Sequence, residues 1–347
     1  MKLSPVPQNI PEWIALKADL VPIPLAHTHV CFMLSKAVLT AFSLNVFEAF
    51  NEKPLSSAEA ALKLNLDERA LKSLLHVLLT TGYFQFKSEK FVLTAHAKKW
   101  CLLSSKYSLY NQQKFNEVCW KWMDHLPVFL QSGKGLQYHE SMTEEEWDLY
   151  QKGMESVASG TADAAIRMAP NLHKPERMLD IGGSHGLYSL KFCKKYKSLY
   201  SDILDLPAAV EKAEPLLRNK YSGSNIQYLR GNALIYDLGI NRYDLIFISS
   251  LMHHFNRDEN AGLCKKVSSA LKKGGYFIIQ EFLRPETGNR MEMLGAVLDL
   301  FFNLSSTSGN WSEKELVGFQ EQAGFKHVRV KKFRMLPGFV QVIAQKI

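Results

Sequence analysis

A doubly wound α/β domain preceded by a smaller, mostly helical domain is the fold that this 347-residue sequence predicts. Three observations carry that reading. From residue 177 onward, apolar runs of strand length alternate with helical segments. The first run breaks at an acid and a set of glycines, "LDIGGSHG" at 179–186, before a helical pattern starts. Upstream, residues 30–105 hold helical patterns followed by a short alternating pair of strands.

Taken in order, "SKAVLTAFSLNVFEAF" places apolar residues at helical spacing, and "LSSAEAALKLN" opens with serines suited to an N-cap. "LDERALKSLLHVLLTTGYFQF" caps on Asp67 and stops at Gly82. "YFQFKSEKFVLT" alternates about a polar turn and reads as a hairpin. Helices followed by a hairpin form a winged-helix arrangement, used either to read DNA or to pack on a second copy. A DNA-reading helix offers basic and amide side chains to phosphates and base edges. Residues 67–80 offer Asp67, Glu68, Arg69, Lys72 and His76 among leucines, and the acid pair faces phosphates poorly. Nucleic acid is therefore not an expected partner, although a DNA-binding regulator is the second alternative reading. Residues 106–172 are helical and aromatic-rich, and Pro170 and Pro175 mark a boundary. The expected domains are thus 1–105, 106–172 and 173–347.

Strands are expected at 177–182, 200–205, 226–230, 243–249, 275–281, 327–334 and 339–345. The first five are apolar runs suited to a parallel sheet covered on both faces. The last two, joined through "LPG", close the sheet with an antiparallel hairpin.

Composition narrows the class. Hydrophobic residues make up 46% and charged residues 22%, an ordinary globular balance. Lys and Arg total 42 against 34 Asp and Glu, giving a charge of +8, but the basic residues are scattered. The five cysteines form no C-x-x-C pair, which argues against a disulfide framework and against zinc, and no metal is expected. The N-terminal stretch lacks an unbroken apolar core, and no apolar run approaches the roughly 20 residues that span a bilayer. A cytoplasmic protein without a membrane partner is expected.

The glycine loop does not fit G-x-G-x-x-G in either register, and no Gly-Lys-Ser/Thr follows it. What remains is acid-x-Gly-x-small-x-Gly, from Asp180 through Gly182, Gly183 and Gly186, a pattern of loops that hold S-adenosyl-L-methionine. Asp205, at the end of "YSDILDLP", stands where an acid accepts hydrogen bonds from ribose hydroxyls. "LRGNA", with Asn232 and Ala233, ends the third strand, and Ser249 ends the fourth. The carboxyl ends of parallel strands face the ligand crevice. His253 and His254 follow directly.

These residues resemble the plant-type, S-adenosylmethionine-dependent O-methyltransferases, whose members include caffeic acid, isoflavone and acetylserotonin enzymes and many bacterial natural-product enzymes. The resemblance covers nearly the whole chain and implies a Rossmann-like domain behind a winged-helix dimerisation domain, hence a homodimer. "LDIGGSHG" matches the family's glycine motif with Ser184 in place of a glycine, and "LDLP" its ribose motif. "RGNA" carries Asn232 in place of the family Asp near the adenine. "LMHHFNRDEN" puts His253 at the catalytic base and His254 where Asp is usual. Glu281 in "FIIQEF" matches the acid that orients the base, and Asn310 stands where a second flanking acid is usual. "YQKGM" implies that Met154 packs against the acceptor.

The resulting expectation is methyl transfer to a hydroxyl of a small, aromatic or polycyclic acceptor. The imidazole of His253 would take the proton as the oxygen attacks. Trp120, Met154, Phe301 and Phe302, with Trp122, Phe129, Met293 and Leu298 beside them, are the candidate acceptor-binding residues. The first alternative keeps the cofactor but has carbon or nitrogen methylated, or no methyl transferred.

Overall fold

The computed structural model describes residues 5–221, 225–286 and 293–347. The chain divides into two compact units, one ending at Glu117 and the other running Val118–Ile347. The division falls within the helix Tyr110–Met123.

In the N-terminal unit, the helices Cys31–Ser43, Val46–Ala49, Ser57–Leu64 and Glu68–Thr80 precede a hairpin, β1 (Phe84–Lys87) and β2 (Lys90–Leu93), and a helix Ala95–Cys101 follows. Ser56 and Glu59 form a reciprocal capping box at the start of Ser57–Leu64. The Asp67 carboxylate caps the next helix by accepting from Ala70 N–H at 2.8 Å. That helix buries Leu71, Leu75 and Leu78 along one stripe. Ser88 and Glu89, at φ 48° and 58°, make the two-residue turn between β1 and β2.

One sequence expectation is corrected here. The run Ile23–Ser43 is a single helical stretch of 21 residues, long and apolar enough to cross a membrane by length and composition. Pro24, His27, Thr28, His29, Ser35 and Lys36 interrupt the apolar run in the sequence without ending the helix. The proline sits in the first turn, where its missing N–H costs nothing.

The C-terminal unit is built on a seven-stranded sheet: β3 (Arg177–Ile181), β4 (Tyr200–Asp205), β5 (Ile226–Arg230), β6 (Tyr243–Ser249), β7 (Leu271–Phe282), β8 (Lys326–Lys332) and β9 (Phe339–Gln345). Its order is β5-β4-β3-β6-β7-β9-β8. The first five strands are parallel, and β9 inserts antiparallel between β7 and β8. β7 starts at Leu271, earlier than the expected residue 275, because Leu271 pairs with Tyr243 across an irregular register that absorbs "KKGG". Apolar clusters cover both faces of the sheet, one including Ile203, Phe247 and Ile278, the other including Leu179, Ile246 and Phe277. The chain crosses over on opposite sides of β3, toward β4 and toward β6, so the sheet opens a crevice beyond their carboxyl ends.

Candidate active site

Four loops meet at that crevice. The loop after β3 begins with Gly182 at φ 68°, whose N–H donates to Leu204 O at 2.8 Å. A Cβ at Gly182 would lie 2.9 Å from the Leu251 side chain, and one at Gly183 would lie 2.7 Å from Asp180 Cγ. Only glycine fits both the turn and the packing there. Ser184 adopts φ 46°, a left-handed conformation that strains a side-chain-bearing residue. Its N–H donates to Asp205 Oδ2 at 2.8 Å, its C=O accepts from Tyr228 O–H at 3.0 Å, and its hydroxyl is hydrogen-bonded to Gln151.

Asp205 ends β4 with one oxygen held by Ser184 N–H and the other by Leu206 N–H at 2.8 Å. Burial nevertheless pushes its carboxyl up to about 6. After β5, Asn232 Oδ1 accepts from Leu234 N–H at 2.9 Å. Ser250 follows β6 at φ 53° and leads into a 3₁₀ turn, Met252–His254. Glu281, on β7, fixes this turn: its Oε1 accepts from Leu251 N–H at 2.7 Å and Met252 N–H at 2.8 Å, and its Oε2 is 3.2 Å from His253 Nδ1. Trp311 Nε1 and Asn260 Nδ2 both donate to Met252 O at 2.9 Å, tying the turn down from the other side.

A cavity of about 140 Å³ opens among these loops. Of the sequence candidates, Gly182, Asp205, Asn232 and Ala233 line it, together with Ser184, Ser250 and His254. Asp180 lies behind Gly183, buried, with Ser189 Oγ donating to it at 2.7 Å. Gly186 is the residue before the helix Leu187–Lys195, where a Cβ would meet Tyr228 Oη. Ser249 Oγ instead accepts from Gln280 Nε2 at 3.0 Å. His253 is buried beside the cavity, its ring stacked on Phe302 at 3.7 Å between centroids.

Sequence reasoning missed an aromatic wall. His139, Trp147 and Tyr150 line the cavity with His254, and Tyr138 packs against His139, Tyr150 and His254. Trp122 stacks on Tyr138 at 4.5 Å and lies over Phe301, which contacts Phe302. Phe301 and Phe302 thus join the cluster. Trp120 and Met154 sit half-buried on their helices and are not among the residues lining the cavity. Helical spacing of Trp147, Tyr150 and Met154 along Glu144–Met168 was the available signal. His139, in the four-residue helix Tyr138–Ser141, offered none. Burial, with the neighbouring imidazole of His253 second, lowers His139 to about 4 and holds His254 well below the ordinary histidine range. Burial pushes Tyr150 up to about 12. The cavity wall therefore presents neutral rings around one carboxyl group.

The donor set fits an adenosyl ligand bearing a cation. Glycine backbone lines one end, the Asp205 carboxyl stands at the end of β4 on the cavity wall, and no cationic side chain lines the cavity among the described residues.

Comparison with known proteins agrees with this geometry. An O-methyltransferase domain matches residues 126–326, and an O-methyltransferase dimerisation domain matches 26–102. The chain belongs to the O-methyltransferase family. It is 23% identical over 318 residues to the human "Probable bifunctional dTTP/UTP pyrophosphatase/methyltransferase protein", an alignment covering 86% of this chain and 50% of that protein. The chain therefore spans about half the length of that relative. It is 24% identical over 323 residues to the "S-adenosyl-L-methionine-dependent methyl transferase PigF" of a Serratia species, covering 86% of this chain and 89% of that one. In fold it is similar to human N-acetylserotonin methyltransferase solved with S-adenosylmethionine, with a TM-score of 0.82, 18% identity, and coverage of 93% and 96%.

Proposed function

We propose that this chain methylates a hydroxyl of a small aromatic acceptor, with S-adenosylmethionine as methyl donor and His253 as general base. The observation that carries the base assignment is the buried pair of His253 Nδ1 and Glu281 Oε2 at 3.2 Å. The chemistry supplied by bound S-adenosylmethionine is an electrophilic methyl group. The rest falls to this chain. Asp205 and the 182–184 backbone hold the ribose and methionine parts, while Asn232 and Ala233 flank the adenine. Glu281 accepts from His253 Nδ1–H, which leaves Nε2 to take the acceptor's proton and stabilises the ring once charged. Two backbone N–H groups on the other Glu281 oxygen keep that carboxylate from rotating away. Trp122, Phe301 and Phe302 supply flat apolar surface that aligns the acceptor and keeps water out. Asn310 is buried and cannot supply the second carboxylate expected in relatives, so the base relies on Glu281 alone.

By role, residues 1–105 form the dimerising part, 106–172 the acceptor-side helices and 173–347 the cofactor-binding part. The cellular setting that suits this chemistry is the cytoplasm.

The test is product formation from labelled S-adenosylmethionine and pooled phenolic metabolites, followed by variants on the acceptor found. His253→Ala should lower the transfer rate by about 10²- to 10⁴-fold, the usual worth of a general base. Glu281→Gln should fall between that variant and the wild type, with cofactor affinity nearly unchanged in both. If His253→Ala turns over normally, the acceptor arrives ionised or is not a hydroxyl.

A further inference from the structure

We propose that His254 is a specificity-determining residue that hydrogen-bonds a second oxygen of the acceptor, adjacent to the oxygen that receives the methyl group. The favoured acceptors are then aromatic rings with two neighbouring oxygen functions. The inference rests on the O-methylation reading above.

The two imidazoles are consecutive on one 3₁₀ turn, with ring centroids 4.2 Å apart. Each is held from behind at Nδ1, but by different groups. A carboxylate, Glu281, stands behind His253, and a hydroxyl, Ser306 Oγ at 2.7 Å, stands behind His254. Both rings therefore offer Nε2. A carboxylate favours the charged ring formed when a base takes a proton, whereas a neutral hydroxyl does not. Two imidazoles this close also repel once both are charged, so one ring takes the proton and the other stays a hydrogen-bonding group. Burial and the neighbouring rings of His253 and His139 keep His254 neutral, which agrees with that division.

Position fits as well. His254 lines the cavity that Asp205 and Asn232 share, while its partner Ser306 lines a second, larger cavity of about 480 Å³ with Gln137, Asn303 and Thr307. The His254–Ser306 pair thus stands between the two spaces, where the reacting end of an acceptor entering from the larger one meets the cofactor side. Tyr138 and His139 pack edge-on against His254, and Phe302 stacks on His253, so the flanking surfaces suit a flat ring. If Ser306 donates to Nδ1, then Nε2–H donates to the second oxygen. In the opposite tautomer Nε2 accepts from its hydroxyl.

The test uses the full chain loaded with S-adenosylhomocysteine. Two naphthalene diols are titrated, one with adjacent hydroxyls and one with a hydroxyl on each ring. The adjacent diol should bind about three- to tenfold more tightly, the worth of one neutral hydrogen bond. His254→Leu should erase the ratio, and His254→Gln, which keeps a polar group near the Nε2 position, should retain part of it. The thermal unfolding midpoint, measured on the same samples, reports that each variant is folded. Equal binding of the two diols, binding of neither, or a ratio that survives in His254→Leu overturns the proposal. Failure of S-adenosylhomocysteine to bind the wild type, seen in the loading step, overturns the methyltransferase reading beneath it.

Discussion

Asp180 is the side chain whose charge folding disturbs in an informative way. It is buried behind Gly183, with one oxygen held by Ser189 Oγ and the other, Oδ1, without a hydrogen-bond partner. Burial raises its carboxyl to about 7, and Asp205, raised to about 6, adds repulsion. Both groups keep their protons in the folded chain at a pH where the unfolded chain has released them. The stability they lend is complete below about pH 4 and is lost as pH rises toward about 7. Each unit of pKa displacement is worth about 1.4 kcal/mol. Asp180→Asn should therefore flatten the fall in ligand-free stability between pH 5 and pH 8, whatever constant offset the amide adds. Thermal or urea unfolding across that range checks it, and an unchanged slope would refute the assignment. The sequence marked Asp180 and Asp205 through spacing from the glycines. It could not separate their surroundings, since which acid borders the cavity and which lies behind the loop depends on the curl of five residues. Ser250 was hidden for the same reason, with Ser249 named in its place: after β6 the chain leaves strand periodicity, and alternation no longer says which side chain faces the ligand, whereas His254, expected beside the ligand, does line the cavity.

At the level of single elements, the loop after β3 was legible because only glycine tolerates its close packing, and the capped helices were legible through Ser56 and Asp67. The start of β7 was not, because two glycines and two lysines read as a turn while pairing across an irregular register. Ser184 tests how the loop balances its costs. A left-handed conformation costs a side-chain-bearing residue about 1–2 kcal/mol, which glycine would relieve. Against this, the hydroxyl binds Gln151, a side chain buried completely whose Nε2 already lacks a partner. Losing that bond leaves further buried polarity unsatisfied, at about 1–3 kcal/mol. Ser184→Ala loses the bond and keeps the strain, while Ser184→Gly loses the bond and sheds the strain. Both variants should be destabilised, alanine by about 1 kcal/mol more than glycine. Urea midpoints decide the order, and an alanine variant as stable as the glycine one would show that the backbone there carries no strain.

Across the whole molecule, the alternation of strands and helices fixed the α/β reading, and the "HVRVKKFRMLPGFVQVIAQKI" ending announced the antiparallel pair. The long N-terminal helix escaped notice because scattered polar residues break an apolar run without breaking a helix. That helix leads to the last prediction. Leu25 is 57% exposed, Val30 55%, Phe32 57% and Met33 49%, a concentration of apolar surface on one segment of the N-terminal unit. Contiguous exposed apolar surface marks an association site. A membrane could cover it, but the stretch holds His27, His29 and Lys36, and its match to an O-methyltransferase dimerisation domain begins at residue 26. Lysine near the middle of a span is costly in hydrocarbon and harmless in an interface where its head reaches water. We therefore expect a second copy of the chain to cover this segment, with an interface above about 2,000 Å², as in obligate pairs. Light scattering at micromolar concentration should give twice 39.5 kDa. Leu25→Asp combined with Met33→Asp should shift the mass toward one chain, because each buried charge costs several kcal/mol unless paired. A wild-type protein that scatters as 39.5 kDa, or a double variant that stays paired, would rule this surface out as the interface.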